Sequence, residues 1–344
     1  MKFDRRLAMF GPLAALPASI SGNLSTELGG APMPGSISIR EFGAHLDGTS
    51  DDSGALQRAL NECMKDNSAR SLLIDGPCRI DRTVFLDRPV DQTRGVLRIR
   101  GSGSFGGFIV AGNFALFDSR LANGGAPVSE HVWFQDIRFE ALARATTSSA
   151  LSEKFLRIRF HDCEFEHIRA LASTNYAQEW QFHRCAAHRW PGTFFSSRGG
   201  YHITSTGSTY RQGGGDVFEI LDPTLQKAGC VGCSFHQDIS ESNSGSFLKA
   251  AVVRGLSIAG LYSEGNASPT LDFESSAANH GISVSGCMFA PQDRNKKNPD
   301  FFDVRWGYIE GGHASGNYST GRLHRRDPRN PKEPIISGDF STTS

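Results

Sequence analysis

The sequence has no excess charge of either sign: across 344 residues, 36 Lys and Arg balance 36 Asp and Glu. A protein built to grip a phosphate backbone needs a basic excess to release counterions, so no nucleic-acid partner is expected. Long apolar runs are also missing. The longest, residues 7–18, has 12 residues, whereas a bilayer span needs roughly 20, so no membrane span is expected. Charged residues are 21% of the chain, too mixed with apolar ones for a disordered polymer. The seven cysteines (Cys63, Cys78, Cys163, Cys185, Cys230, Cys233 and Cys287) make no even disulfide framework. No Gly-X-Y period exists, which excludes collagen. Two excesses stand against these absences. Glycine reaches 38 residues, about 11% against a usual ~7%. Phenylalanine supplies 24 residues beside 6 Tyr and 4 Trp. A Phe- and Gly-rich chain reads as β-rich with many turns.

Residues 1–35 read as a leader and linker. Lys2, Arg5 and Arg6 make a basic head, residues 7–18 an apolar segment, and 29–35 (GGAPMPG) a linker. A basic head followed by a short apolar segment and small residues is the pattern of an export signal, so a secreted or periplasmic location is expected. Folding is expected to begin near Ser36.

Residues 37–64 combine a strand, a turn and a helix. Ile37 and Ile39 alternate with Ser38 and Arg40 as in a half-buried strand. Asp47-Gly48 signals a tight turn. Ser50, Asp51 and Asp52 supply acceptors and negative charge at a helix start. Leu56, Ala59, Leu60 and Cys63 then follow at helical spacing. This arrangement resembles the N-terminal signature of the pectate-lyase-like superfamily of right-handed parallel β-helices. The matching residues are Phe42-Gly43-Ala44, Asp47-Gly48, Asp51-Asp52, Ala55-Leu56-Gln57 and Ala59. The resemblance implies an all-β, single-stranded parallel β-helix whose first coil is closed by a short N-terminal helix. It also implies the family's range of roles: polysaccharide lyases and hydrolases, phage tailspike depolymerases and exopolysaccharide-assembly proteins. On this reading Asp47, Asp51 and Asp52 are structural, although they look like a paired-acid site.

A repeat is visible independently. The phrase apolar-x-x-(Cys/Ile/Leu/Gly)-x-aromatic recurs with its fourth position at Ile137, Cys163, Cys185, Thr206, Cys233, Leu261, Cys287 and Gly316. Periods of 20 to 50 residues mean solenoids, and a short β-rich period means three strands per coil rather than a propeller blade. The solenoid is expected over residues 36–321 and an irregular tail over 322–344. Four cysteines at one repeat position (Cys163, Cys185, Cys233, Cys287) are read as an interior ladder of small apolar side chains. Cys230-x-x-Cys233 resembles half a zinc or redox site, but no second pair lies near it, so a structural role is expected.

Strand alternation then registers the outward positions. The expected rows are His131/Arg157/Glu179, then Trp133/Arg159/Gln181/His202, then Gln135/His161/His183/Thr204. Farther on, the rows become bland (Val231, Ser257, Ala259, Ser283, Ser285). A second flank carries Glu164, Glu166, His188, His236 and Glu264. One end of one face thus concentrates Trp, Arg, His, Gln and Glu, which suits a sugar chain: hydroxyls pair with the polar groups and a ring stacks on Trp133. Histidine titrates near neutrality and serves proton transfer. Candidate catalytic residues are therefore Glu179, His161, His183 and Arg159. Candidate substrate-binding residues are Trp133, Arg157, Gln181, His202 and Glu164. Hydrolysis would need two carboxylates, Glu179 with Glu164 or Glu166, at about 5 to 9.5 Å. Elimination would need a base beside an arginine that neutralises a uronate.

The motifs of galacturonases and the acidic cluster of calcium-dependent pectate lyases are not visible, which argues against pectin. No HxxxH or HxH spacing supports a metal site, so no metal or cofactor is expected. Asn266-Ala-Ser268 fits a glycosylation acceptor formally, and residues 292–299 read as a loop or flap. The expected function is an exported, polysaccharide-directed β-helix protein, a lyase or hydrolase of an acidic extracellular polysaccharide. The alternatives are a non-catalytic polysaccharide-binding or exopolysaccharide-assembly protein, or a phage tailspike-type component. Either a monomer or a homotrimer fits.

Overall fold

The computed structural model describes residues 36–65, 71–87, 96–103, 106–120, 131–142, 147–174, 176–221, 230–274, 279–326 and 334–341. The leader at 1–35 lies outside them. The described strands form three parallel sheets of 15, 11 and 10 strands. Each coil visits the first sheet, turns a corner into the second, then crosses to the third. One coil runs Ile158–His161, Glu164–Glu166 and Arg169–Thr174. The next runs Gln181–His183, Ala186–His188 and Phe195–Ser197. The fold is a right-handed parallel β-solenoid, so residues one coil apart in sequence are neighbours about 4.8 Å apart.

The inward positions explain the phenylalanines. Phe134, Phe160 and Phe182 occupy one inner row of the first sheet, and their rings stack at 5.1 and 5.3 Å with planes 14° apart. Phe139 and Phe165 do the same on the second sheet at 5.0 Å. The coil repeat itself delivers ring-stacking distance. Rings packed at 4.5–7 Å stabilise by ~0.5–1.5 kcal/mol per pair beyond their burial.

The helix Ser53–Lys65 buries Ala55, Leu56, Ala59, Leu60 and Cys63 against the first coil. Asp47 accepts from the Thr49 and Ser50 backbone N–H groups, and buried Asp52 from those of His45 and Leu46. Asp51 accepts from the Ser53 N–H. These carboxylates fasten the cap and its turn.

Strand pairing corrects the repeat at three copies, those expected at Thr206, Cys233 and Gly316. The corner position of Cys163 and Cys185 continues as Ser208, Asp238, Leu261, Cys287 and Asn317. Cys163, Cys185 and Cys287 therefore share the ladder, but Cys233 does not. It lies inside, at the start of the first sheet, two residues before Phe235, and it is disulfide-bonded. The phrase Gly232-Cys-Ser-Phe235 mimics Gly286-Cys-Met-Phe289, so an apolar pattern selects it. The true equivalent, Asp238, is a buried acid that such a pattern rejects.

The solenoid also runs past residue 321. His324–Arg326, Ile335–Ser337 and Phe340–Ser341 add a strand to each sheet. Within 292–299 a short helix, Asp293–Lys296, docks on the preceding coil through Asn295, which donates to the Asn266 and Ala267 carbonyls. Asn266 is itself interior, 3% exposed, with its amide on Ser240 and Ser263. It cannot accept a glycan in this fold.

Candidate functional site

The first sheet presents two outward rows. The middle row runs Arg98, Trp133, Arg159, Gln181, Thr204, Ser234, Ser257 and Ser283. The second runs Arg100, Gln135, His161, His183, Thr206, His236, Ala259 and Ser285. A groove of about 460 Å³ opens over Arg98, Trp133, Arg159 and Gln181 of the middle row and Gln135, His161 and His183 of the second, with Phe134 and Phe160 at its floor. The expected charged and aromatic end of one face is thus a concave surface. Among the described residues no carboxylate lines it. Arg98 and Arg100 are additions. The alternation Leu97-Arg98-Ile99-Arg100 carries their signal, and counting the repeat one coil earlier finds them.

Pairing also moves two residues. His202 sits not in the middle row but two residues before its strand, Thr204–Thr206, at the corner that holds His131, Arg157 and Glu179. Thr204 takes the middle row. All four corner residues have left-handed backbones, with φ of 53° to 58°. Arg157 Nε donates to Glu179 Oε1 at 3.4 Å. This corner flanks the groove rather than lining it. Glu164 and Glu166 begin the second sheet, beyond the opposite corner. Arg157, beside Glu179 on the next coil, is four residues from the far end of the first-sheet strand. At ~3.3 Å per residue the strand between the two corners is about 13 Å long, so the backbones of Glu179 and Glu164 stand on opposite sides of the first sheet.

Trp133 is not free to stack a sugar. The Arg98 guanidinium lies 5.1 Å from its ring centroid and that of Arg159 4.6 Å. These cations come from the strands on either side, so both ring faces are covered. Among the described residues neither guanidinium has a carboxylate partner.

The histidines form a second stack. The rings of His161 and His183 lie 4.6 Å apart, 15° from parallel. Asp162 turns the corner at φ 53° and is held by Arg184 through Nε–Oδ1 at 2.8 Å and Nη2–Oδ2 at 2.6 Å. That bidentate grip, helped by His161 and opposed by partial burial, keeps the Asp162 carboxyl below its usual range. His161 Nδ1 is 2.7 Å from Asp162 Oδ2 but off the hydrogen-bonding direction. Burial, the stacked His161 and Arg184 together lower the His183 pKa, against the pull of Asp162. His183 Nδ1 is buried without a hydrogen-bond partner. The groove therefore joins guanidiniums that have no carboxylate partner among the described residues to an imidazole whose lowered pKa favours its neutral, basic form. Among the described residues no cluster of His, Cys, Asp or Glu is placed to hold a metal ion, and no helix is long and apolar enough to cross a membrane.

No family model matches the sequence, and no curated protein matches it. Solved structures do resemble it. The tailspike protein of Acinetobacter baumannii phage AM24 superposes with a TM-score of 0.73 at 15% identity, over 89% of this chain and 54% of that one. ORF18 of Geobacillus virus E2 gives 0.61 at 10% identity, over 90% and 60%. The Dettilon tailspike protein gives 0.55 at 9% identity, over 88% and 68%. The chain spans little more than half the length of the first two. At these identities the likeness is one of fold alone, and that fold is a right-handed parallel β-helix.

Proposed function

We propose that this protein is exported, binds an acidic polysaccharide along the groove of its first sheet, and cleaves it by β-elimination. The observation that carries this reading is Arg159, which has no carboxylate partner among the described residues, one strand from His183, whose Nδ1 is buried without a hydrogen-bond partner and whose pKa is lowered by burial and its cationic neighbours. A uronate carboxylate on Arg159 is neutralised, which acidifies the proton on the adjacent carbon. His183 takes that proton. The released electron pair forms the carbon–carbon double bond, and the glycosidic oxygen leaves, protonated by solvent. A positioned base contributes about 10²- to 10⁴-fold.

The test is to incubate the protein with uronate-containing and neutral glycans. Ultraviolet absorbance of unsaturated uronate should appear with the former only, and His183→Ala should reduce it at least about 100-fold with melting unchanged. The rate should fall in acid with a midpoint below the ordinary imidazole value of about 6.5. New reducing ends without unsaturation would overturn the elimination. Glycan binding without cleavage would favour a second reading, a binding component of a tailspike or of exopolysaccharide assembly, which the likeness to the AM24 tailspike supports.

A further inference from the structure

Arg98, Trp133 and Arg159 are successive members of one outward row, with a guanidinium over each face of the indole. The two cations are therefore two coil spacings apart, roughly 10 Å. The ring quadrupole holds them there. Trp133 acts as a spacer, keeping apart two like charges that would otherwise choose their own separation. A guanidinium stacked flat on a ring keeps its in-plane N–H donors, which fit a planar anion in bidentate fashion. Both arginines are exposed. The next row member, Gln181, is neutral. Cationic ends, an apolar middle and a neutral extension form a pattern with a period of two coils.

Resting on the acidic-glycan reading above, we propose that the groove selects a polysaccharide lying parallel to the solenoid axis with a carboxylate on every second sugar. A coil spacing is ~4.8 Å, comparable to the length of one pyranose unit in an extended chain, so successive sugars stay in step with successive coils. Carboxylates on alternate sugars then meet Arg98 and Arg159, and the sugar between them rests against the edge of Trp133. A carboxylate on that middle sugar meets no guanidinium, so it adds no affinity and loses hydration.

The experiment is calorimetric titration of the full-length His183→Ala protein, which removes turnover, with oligosaccharides of equal length. Hyaluronan and heparosan fragments carry charge on alternate sugars, oligogalacturonate and oligomannuronate on every sugar, and chitooligosaccharides on none. The alternating ligands should bind at least as tightly as the fully charged ones, despite half the charge, and about tenfold or more above the neutral one. Arg98→Gln and Arg159→Gln should each weaken the alternating ligands about tenfold, with melting unchanged because both side chains are exposed. Trp133→Leu should keep acid over neutral but lose the preference for alternation. Affinity rising with charge number, with fully charged ligands about tenfold ahead, would overturn the spacing and leave the acidic-glycan reading standing. Equal binding of the neutral ligand, or binding of none, would overturn that reading as well.

Discussion

The coils from Leu97 to His183 and those from Thr204 to Ser315 share one backbone plan but distribute polarity in opposite ways. In the first set the interior is aromatic, with Phe134, Phe160 and Phe182 stacked, and the outside of the first sheet carries Arg, Trp and His. In the second set the two outward rows are Thr, Ser and Ala apart from His236 and His313, and the interior carries polar groups. Ser205 interrupts the phenylalanine row and contacts Tyr210 and Asp238. Asn243 and Asn266 bond from coil to coil beneath the second sheet. The corners differ in parallel. On both sides of the first sheet the early coils turn at His131, Arg157, Glu179, His202, Asp136, Asp162 and Arg184, all with positive φ, and the later coils turn mostly at glycine. A non-glycine residue in this conformation costs roughly 1–2 kcal/mol. The early coils thus hold side chains where the backbone prefers none, and they crowd cations on one face. A dense aromatic core offsets both costs. Strain gathered around a concave, charged surface is where function is expected.

The sharpest way to break this comparison is to remove the early core. Phe160 stacks on Phe134 and Phe182 and meets Phe139 and Phe165 edge-on. Phe160→Ala should cost ~3–5 kcal/mol. In a solenoid, where each coil contacts its neighbours, the loss should appear first in hydrogen exchange of coils 132–188. A loss below about 2 kcal/mol would mean that the aromatic column does not carry this half.

The polar interior of the later coils is tested by pH. Burial pushes the Asp238 carboxyl up to about 7, against hydrogen bonds from the Ser208 N–H and the Ser205 hydroxyl. The folded state therefore holds this proton more tightly than the unfolded chain. The resulting stability is fully present below the unfolded value near 4 and is lost as pH rises toward 7. Asp238→Asn keeps an acceptor and cannot ionise, so it should raise stability at pH 8 by on the order of a few kcal/mol and leave it nearly unchanged at pH 4. Denaturant unfolding at the two pH values decides this. An equal effect at both would mean that Asp238 is not protonated in the fold.

The same contrast bounds what the sequence tells. The fold was legible because coil stacking makes periodicity a physical signal, and the capping helix because its apolar residues follow helical spacing. The groove was legible as far as register held: Trp133, Arg159, His161, Gln181 and His183 all line it. Register failed where the interior turns polar. Ser208 and Asp238 occupy positions that an apolar search skips, so His202 was placed two residues out of row. The covering of Trp133 was not legible either. Alternation places Arg98 and Arg159 beside the indole but does not tell whether they lie over its faces.

Corner substitutions are smaller and reciprocal. Gly255 has φ 68°, and a Cβ there would meet nothing nearer than 3.9 Å. The space is open and only the backbone objects, so Gly255→Ala should cost roughly 1–2 kcal/mol, read as a drop in the denaturant midpoint. A neutral result would remove strain from the account of the early corners.

Glu179→Gly is the matching change in the groove-bearing half and the smallest effect. Relief of the left-handed backbone, φ 54°, favours it by about 1 kcal/mol. The partly exposed pair with Arg157 at 3.4 Å is lost, which opposes the gain by about 0–1 kcal/mol. The net change should lie between zero and about 1 kcal/mol of added stability, and cleavage of acidic glycan should continue, because Glu179 flanks the groove rather than lining it. Stability and turnover measured on one preparation separate the possibilities. Turnover lost with stability gained would make Glu179 a catalytic group kept in place against the backbone's preference. Turnover kept would leave His183 and Arg159 as the pair on which the chemistry rests.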